Sequence, residues 1–394
     1  NDIVITEIGG TVGDIESLPF LEAIRQLKHE MPADDILYIH MTLIPYLKKA
    51  EELKTKPTQH SVKELQSLGI QPHIIVCRSP MALPQELKDK IGLFCNIPSK
   101  NVFHNLDAES IYEIPLYLER DGLANEACAI LNIPNPKPNL ANWEEIVRKD
   151  LAREEKIKIA LVGKYVELKD AYISACEALE HAGIELGLRP ELLWINAEQL
   201  NASNSQELLD GIQGMILPSG FGSRGLEGML EACRYSRVNK IPFLGIGFGM
   251  QAAGLEFARN VLGYKDANST EFNPETSFPV IDIDKNDPSM RLGSQGVLLS
   301  PGSLFEGLYG EGCISERHRH RYDFTASHAK LFEEKGMSFS GLSQDGLRVE
   351  ALELKDHPFY LACQYHPEFK SRPTKVHPLF RGFMEAIHSY KRNL

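Results

Sequence analysis

Apolar and polar positions along the chain follow two periods, and the changes between them mark its elements. Short, nearly continuous apolar runs read as buried strands at Asp2–Glu7, Ile36–His40 and His73–Cys77, and again at Lys156–Gly163, Leu192–Ile195, Gly214–Pro218 and Ile241–Ile246. Between them lie the helical stretches Pro19–Glu30, Ser61–Leu68, Ala171–Gly187 and Met250–Val261. Strands apolar on both faces, alternating with helices, predict parallel sheets covered by helices. The expected fold class is α/β, with two domains, each a mostly parallel sheet with helices on both faces.

The Pro/Asn-rich stretch Ile133-Pro-Asn-Pro-Lys-Pro-Asn139 interrupts the pattern, and a charged amphipathic helix follows over about Leu140–Glu155. The expected division is 1–139, a linker helix at 140–155, and 156–394. A length of 394 residues is more than one ordinary core holds, which agrees with two domains. A core strand at Asp2 with no preceding element reads as the C-terminal part of a longer protein.

Composition narrows the classes. A formal net charge of -12 opposes polyanions, so nucleic acid is not an expected partner. The basic clusters are short and suit a small anion better than a polymer. No apolar run approaches the roughly 20 residues that span a bilayer, and no signal-peptide pattern opens the chain. Seven dispersed cysteines without a CxxC pair indicate neither a zinc site nor a disulfide framework. The expectation is a cytoplasmic protein with reduced thiols and no membrane association.

Three segments in the second half carry chemistry. Ile241-Pro-Phe-Leu-Gly-Ile-Gly247-Phe-Gly-Met-Gln251 is a strand, a tight turn and a helix start, the layout of a nucleophile elbow with glycine at the turn. Gln364-Tyr-His366-Pro-Glu368 places a carboxylate where it can orient an imidazole. Leu217-Pro-Ser219-Gly220-Phe-Gly222 is a turn able to aim backbone N–H groups at an oxyanion. Each alone is compatible with plain α/β connectivity or a surface turn; their order over one domain length is more specific. Together they resemble a class I glutamine amidotransferase domain, whose elbow reads Gly-Ile-Cys-x-Gly-x-Gln.

That resemblance implies a triad of nucleophile, His366 and Glu368, with the nucleophile position occupied by Gly247. Backbone N–H groups of Gly220 and Phe248 fall at the oxyanion positions, and Gln251, Glu271 and Arg321 at glutamine-holding ones. Arg317, Arg319 and Arg321 share one face of an alternating strand, which suits a carboxylate or blunts an exposed edge. Two residues could substitute for the missing thiol. Cys363 is expected to point away from His366. Ser219 stands where the family has glycine, and its Cβ is expected to crowd the oxyanion turn. Losing a nucleophile costs several orders of magnitude in rate, so glutaminase activity is expected to be absent.

In the first half, Gly9-Gly-Thr-Val-Gly-Asp14-Ile15-Glu16-Ser17 follows Glu7, and Lys54-Thr55-Lys56-Pro57-Thr58-Gln59 precedes a helix. Lysines, hydroxyls and a helix N-terminus suit a phosphate, although a solvated basic loop has the same composition. Both halves together resemble the CTP synthase family from Asp2 to about Lys391. The resemblance implies ATP-dependent amination of UTP to CTP with glutamine- or ammonia-derived nitrogen, in a homotetramer. It implies Glu7 as a Mg²⁺ ligand, and Asp14, Ile15, Glu16, Lys54, Thr55, Lys56, Pro57, Thr58, Gln59 and Lys90 as the UTP site, part of which also binds inhibitory CTP. Arg224 and Glu227 fall where the family's activator GTP acts. Four departures are visible: no ATP phosphate loop, a short segment between Asp282 and Met290, Ser219, and Gly247. The alternative is a non-catalytic nucleotide-binding and assembly member of the same family.

Overall fold

The computed structural model describes residues 2–284 and 288–392, so part of the short segment before Met290 lies outside the described residues. Spatial contacts divide the chain into two compact units, Asn1–Leu151 and Ala152–Leu394.

The first unit is built on three parallel strands: β1 (Ile39–Leu43), β2 (Ile74–Ser79) and β3 (Val102–Leu106), in that order across the sheet. Alternation within β2 divides its side chains between two cores. Ile75 and Cys77 pack with Val62, Ile91 and Cys95 from α2 (Lys56–Ser67) and α3 (Gln85–Cys95). Ile74 and Val76 pack with Leu118, Leu123 and Ala127 from α4 (Ile114–Arg120) and α5 (Leu123–Ile130). An additional helix, Leu18–Glu30 (α1), places Leu21 against Leu65 and Ile70.

Two expectations are corrected here. Asp2–Glu7 is not a strand: it pairs with no described strand, and Ile3, Val4 and Ile5 are 63%, 75% and 92% exposed. An apolar run becomes a strand only with a ladder partner for its backbone, and here none is supplied. The second helix begins at Lys56 rather than Ser61, because Pro57 fits a helix's first turn, where its missing N–H is no loss. Helix α6 (Ala141–Leu151) stops short of Glu155, which already starts a strand; Trp143 Nε1 donates to the Tyr112 carbonyl at 2.7 Å.

The second unit has a parallel centre: β4 (Glu155–Gly163), β5 (Leu188–Asn196), β6 (Gly214–Leu217), β7 (Phe243–Ile246) and β14 (Tyr360–Cys363), in spatial order β14-β7-β6-β4-β5. Helices α7 (Ile173–Leu186) and α10 (Pro378–Arg392) bury Ala178, Leu179, Phe380 and Phe383 on one face. Helices α8 (Leu226–Asn239) and α9 (Phe248–Asn260) bury Met229, Cys233, Ala252 and Phe257 on the other. Beyond β14 the sheet continues antiparallel through β13 (Arg348–Leu354), β11 (Tyr322–Thr325) and β8 (Pro279–Ile283). Strands β9 (Arg291–Leu299), β10 (Cys313–His320) and β12 (Met337–Ser343) extend it further. The expected strands lay in the parallel centre. Among the described residues, no helix is long and apolar enough to cross a membrane.

Candidate functional site

The elbow forms because three strands end together. Strand β7 lies between β6 and β14, with Gly245 opposite both Leu217 and Ala362. Gly247, just past the strand, donates its N–H to the Cys363 carbonyl at 2.7 Å, and its own carbonyl accepts from Met250 and Gln251 at 3.0 and 3.3 Å. Between these bonds Gly247 is held at φ 56° and ψ -107°, a conformation that strains any residue with a Cβ. Helix α9 begins at once and lies close on β6: a Cβ on Gly249 would stand 2.2 Å from the Leu217 carbonyl oxygen.

His366 faces this turn. A Cβ built on Gly247 would lie 3.7 Å from His366 Cε1. The imidazole Nδ1 is 2.8 Å from Glu368 Oε1, so the carboxylate fixes the ring and leaves Nε2 as the other, separately available nitrogen. Phe369 stacks on the ring at 5.3 Å between centroids, and the His366 N–H donates to the Arg317 carbonyl at 2.8 Å. Imidazole and carboxylate are therefore placed with the geometry that a nucleophile–His–carboxylate triad requires.

The same built Cβ would lie 2.5 Å from Ser219 Oγ and 3.0 Å from Ser219 Cβ. The space that belongs to a side chain at the elbow is filled from the opposite turn. Cys363 is no surrogate: it is completely buried, its Sγ donates to the Tyr365 carbonyl at 3.4 Å, and burial pushes its thiol pKa well above the ordinary value.

Around the elbow the structure gathers the other candidates. Gln251 Nε2 donates to the Tyr322 carbonyl at 3.1 Å and to Gln364 Oε1 at 3.3 Å. Burial raises the pKa of Glu271, partly offset by the nearby Gly222 backbone and by the charges of Lys164 and Arg321. Strand β10 alternates as expected, with Glu316, His318 and His320 buried and Arg317 and Arg319 exposed; Arg321 follows on the exposed side. A cavity of about 630 Å³ opens here, with Arg317, Arg319, His366 and Phe369 in its wall.

Sequence reasoning did not single out Lys164. The lysine side chain is buried under the turn after β6, and its ammonium reaches the carbonyls of Phe221, at 3.0 Å, and Gly222. A lone lysine after a strand gives no signal in a sequence.

In the first unit, Gly9–Asp14 is an irregular loop that runs into a single 3-10 turn at Ile15–Ser17. Asp14 Oδ2 accepts from the Thr11 N–H at 2.8 Å, and Val12 packs beside Leu65 of α2. Ile15 and Glu16 are exposed, as are Lys56 and Pro57 in the first turn of α2 and Lys90 on α3. Lys54 pairs with Glu52. Thr55 is buried and bonded to Gln59 Nε2 at 3.1 Å, while Thr58 is completely buried and donates to Thr42 Oγ1 at 3.0 Å. Both hydroxyls are thus engaged within the unit. Glu7 is exposed, and among the described residues no three His, Cys, Asp or Glu side chains cluster as a metal cage.

Residues 1–133 match the family model described as CTP synthase N-terminus, and residues 167–386 the one described as glutamine amidotransferase class-I. The chain is 51% identical to a CTP synthase of Ruminiclostridium cellulolyticum, covering 99% of this chain and 74% of that protein. It is 53% identical to a CTP synthase of Clostridium perfringens with the same coverage. The Trypanosoma brucei CTPS glutaminase domain with bound acivicin superposes with a TM-score of 0.57 at 35% identity, covering 59% of this chain and 94% of that one. With its synthetase and glutamine amidotransferase domains, the chain belongs to the CTP synthase family.

Proposed function

We propose that this protein serves the amination of UTP to CTP, using ATP, and that its amidotransferase unit does not hydrolyse glutamine, so that free ammonia is the nitrogen source. The observation that carries this reading is the elbow itself. Its backbone, base and orienting carboxylate are present, but Gly247 offers no thiol and Ser219 occupies the space where one would start. Acyl transfer needs an atom that can bond to the amide carbon, and loss of that atom costs about six orders of magnitude in enzymes that use a nucleophile–His–carboxylate triad.

For the ligase half, the exposed loop Gly9–Glu16, the first turn of α2 with Lys56, and Lys90 are the proposed UTP and CTP contacts. Backbone N–H groups at the start of α2 and the nearby lysines attract phosphate. Mg²⁺ is held by one or two carboxylates plus substrate phosphates rather than by an all-protein cage, and a single exposed Glu7 fits that requirement. The ion would neutralise phosphate charge. GTP, with Arg224 and Glu227 as contacts, and a homotetrameric assembly complete the proposal.

The test is to supply UTP, ATP and Mg²⁺ with either ammonium or L-glutamine and to follow CTP and glutamate. No glutamate from glutamine is the expected result, and CTP formation from ammonium tests the ligase half, in whose sequence no ATP phosphate loop is visible. Glutamate release would overturn the reading of the elbow. Absence of CTP with ammonium would point instead to the non-catalytic, nucleotide-binding alternative.

A further inference from the structure

The turn that should hold the oxyanion is clamped from two sides. Lys164 lies just beyond β4, only 4% exposed, with its ammonium directed at the Phe221 carbonyl at 3.0 Å and at the Gly222 carbonyl. The ammonium also sits 4.0 Å from the centroid of the Phe248 ring, over the first residue of α9. Its methylenes lie 3.4 Å from where a Cβ on Gly220 would stand. From the other side, the Gly222 backbone lowers the Glu271 pKa, which places that carboxylate against the turn. One cation therefore touches both structural halves of the oxyanion site, the Gly220–Gly222 turn and the start of α9. Phe248 is in turn fixed edge-to-face against Phe272, the neighbour of Glu271, at 5.8 Å.

We infer that Lys164 is a positioning residue whose positive charge holds the Gly220–Gly222 turn in register with the elbow. A buried ammonium bonded to two carbonyls and seated over an aromatic face is a strong, directional tie. A neutral side chain of the same length would fill the space without making it. The assignment rests on the reading of this pocket as an amidotransferase site, yet the tie itself can be measured without turnover.

The charge is also conditional. Burial lowers the Lys164 pKa to about 8, and the groups that face it are Glu271 and Glu198, which favour the cation, and Arg224, which opposes it. The ammonium is thus charged, and the tie intact, at pH 7. A lysine whose pKa is depressed by folding makes the folded state more stable, not less, as pH rises through that pKa. The same linkage disfavours an opening of the turn that frees Lys164 into water as pH rises, so the tie is tested near neutrality.

The experiment is amide hydrogen exchange across residues 219–224 in the full chain, corrected for intrinsic rates, at pH 7. At pH 7, Lys164→Met should exchange the turn about tenfold faster than the native protein, the scale of one lost charged hydrogen bond, with other elements unaffected. Lys164→Arg, which keeps the charge, should lose less protection than Lys164→Met. Equal turn protection in native protein and Lys164→Met at pH 7, or a loss spread over the whole unit, overturns the proposal. In a chain given a thiol by Gly247→Cys with Ser219→Gly, Lys164→Met should lower kcat for glutamine hydrolysis at least tenfold with KM nearly unchanged. A change in KM alone would contradict the positioning role. Failure of that chain to hydrolyse glutamine at all bears on the pocket reading and leaves the exchange result to decide on Lys164.

Discussion

Restoring the thiol by Gly247→Cys alone should recover much less activity than pairing it with Ser219→Gly, for steric reasons. The new Cβ would lie 2.5 Å from Ser219 Oγ and 3.0 Å from Ser219 Cβ, where ordinary contact is 3.4–4 Å. Rotation of Ser219 removes the first contact but not the second. Overpacking of this kind costs about 1–3 kcal/mol. Placing an L side chain at φ 56° in the elbow adds about 1–3 kcal/mol of backbone strain, which glycine avoids. Ser219→Gly relieves only the first of these. Denaturant unfolding of the native chain, both single variants and the double variant closes a cycle, in which the coupling between positions 219 and 247 should be about 1–3 kcal/mol in favour of the double. Glutamine hydrolysis, followed as glutamate release, should be detectable in the double variant and at least roughly tenfold weaker in Gly247→Cys. Additive stabilities within about 0.5 kcal/mol, or equal activity in the single and double variants, would refute the steric argument.

Other outcomes follow from the same coordinates. In the double variant, His366→Ala should abolish hydrolysis, and Glu368→Gln should lower kcat more than it changes KM, because Glu368 Oε1 holds the ring at 2.8 Å; steady-state kinetics read both. Arg321→Ala should raise KM for glutamine with a smaller effect on kcat, since its charge acts on the Glu271 carboxylate, the other proposed glutamine contact. Completely buried Glu350, 2.7 Å from Arg291 and 3.0 Å from His318, should cost about 3–5 kcal/mol when replaced by alanine, as measured by urea unfolding. Burial pushes the Glu350 pKa up, but bonds to His318 and the Arg291 charge outweigh it and leave it lowered. Its stabilisation is accordingly full at neutral pH and lost as pH falls below the ordinary glutamate value, so the acid unfolding midpoint should move toward neutrality in Glu350→Gln.

Much of this architecture was legible in the sequence because period and punctuation agree. The strands ending at Gly163, Leu217 and Ile246 stand near where their apolar runs place them, and β10 alternates as the Arg-His-Arg-His pattern requires. Asp2–Glu7 has the same apolar signature but no partner, and a single sequence does not show partners. The antiparallel extension escaped because β12 and β13 mix apolar, polar and small residues and are paired through register shifts. At the site, motif order located His366, Glu368 and Gly247 from local spacing. Ser219 was expected to crowd the oxyanion turn, but its reach into the elbow depends on strands far apart in sequence. Lys164 and the Phe221 and Gly222 carbonyls are likewise distant in the chain and meet only once β4 and β6 pair.

The most direct measurement is glutamate release from L-glutamine by the full chain with UTP, ATP, GTP and Mg²⁺ present, alongside mass spectrometry after exposure to a glutamine-directed alkylating analogue. The structure predicts no release above the uncatalysed rate and no adduct on any residue. Turnover of glutamine, or an adduct on Ser219 or Cys363, would contradict it.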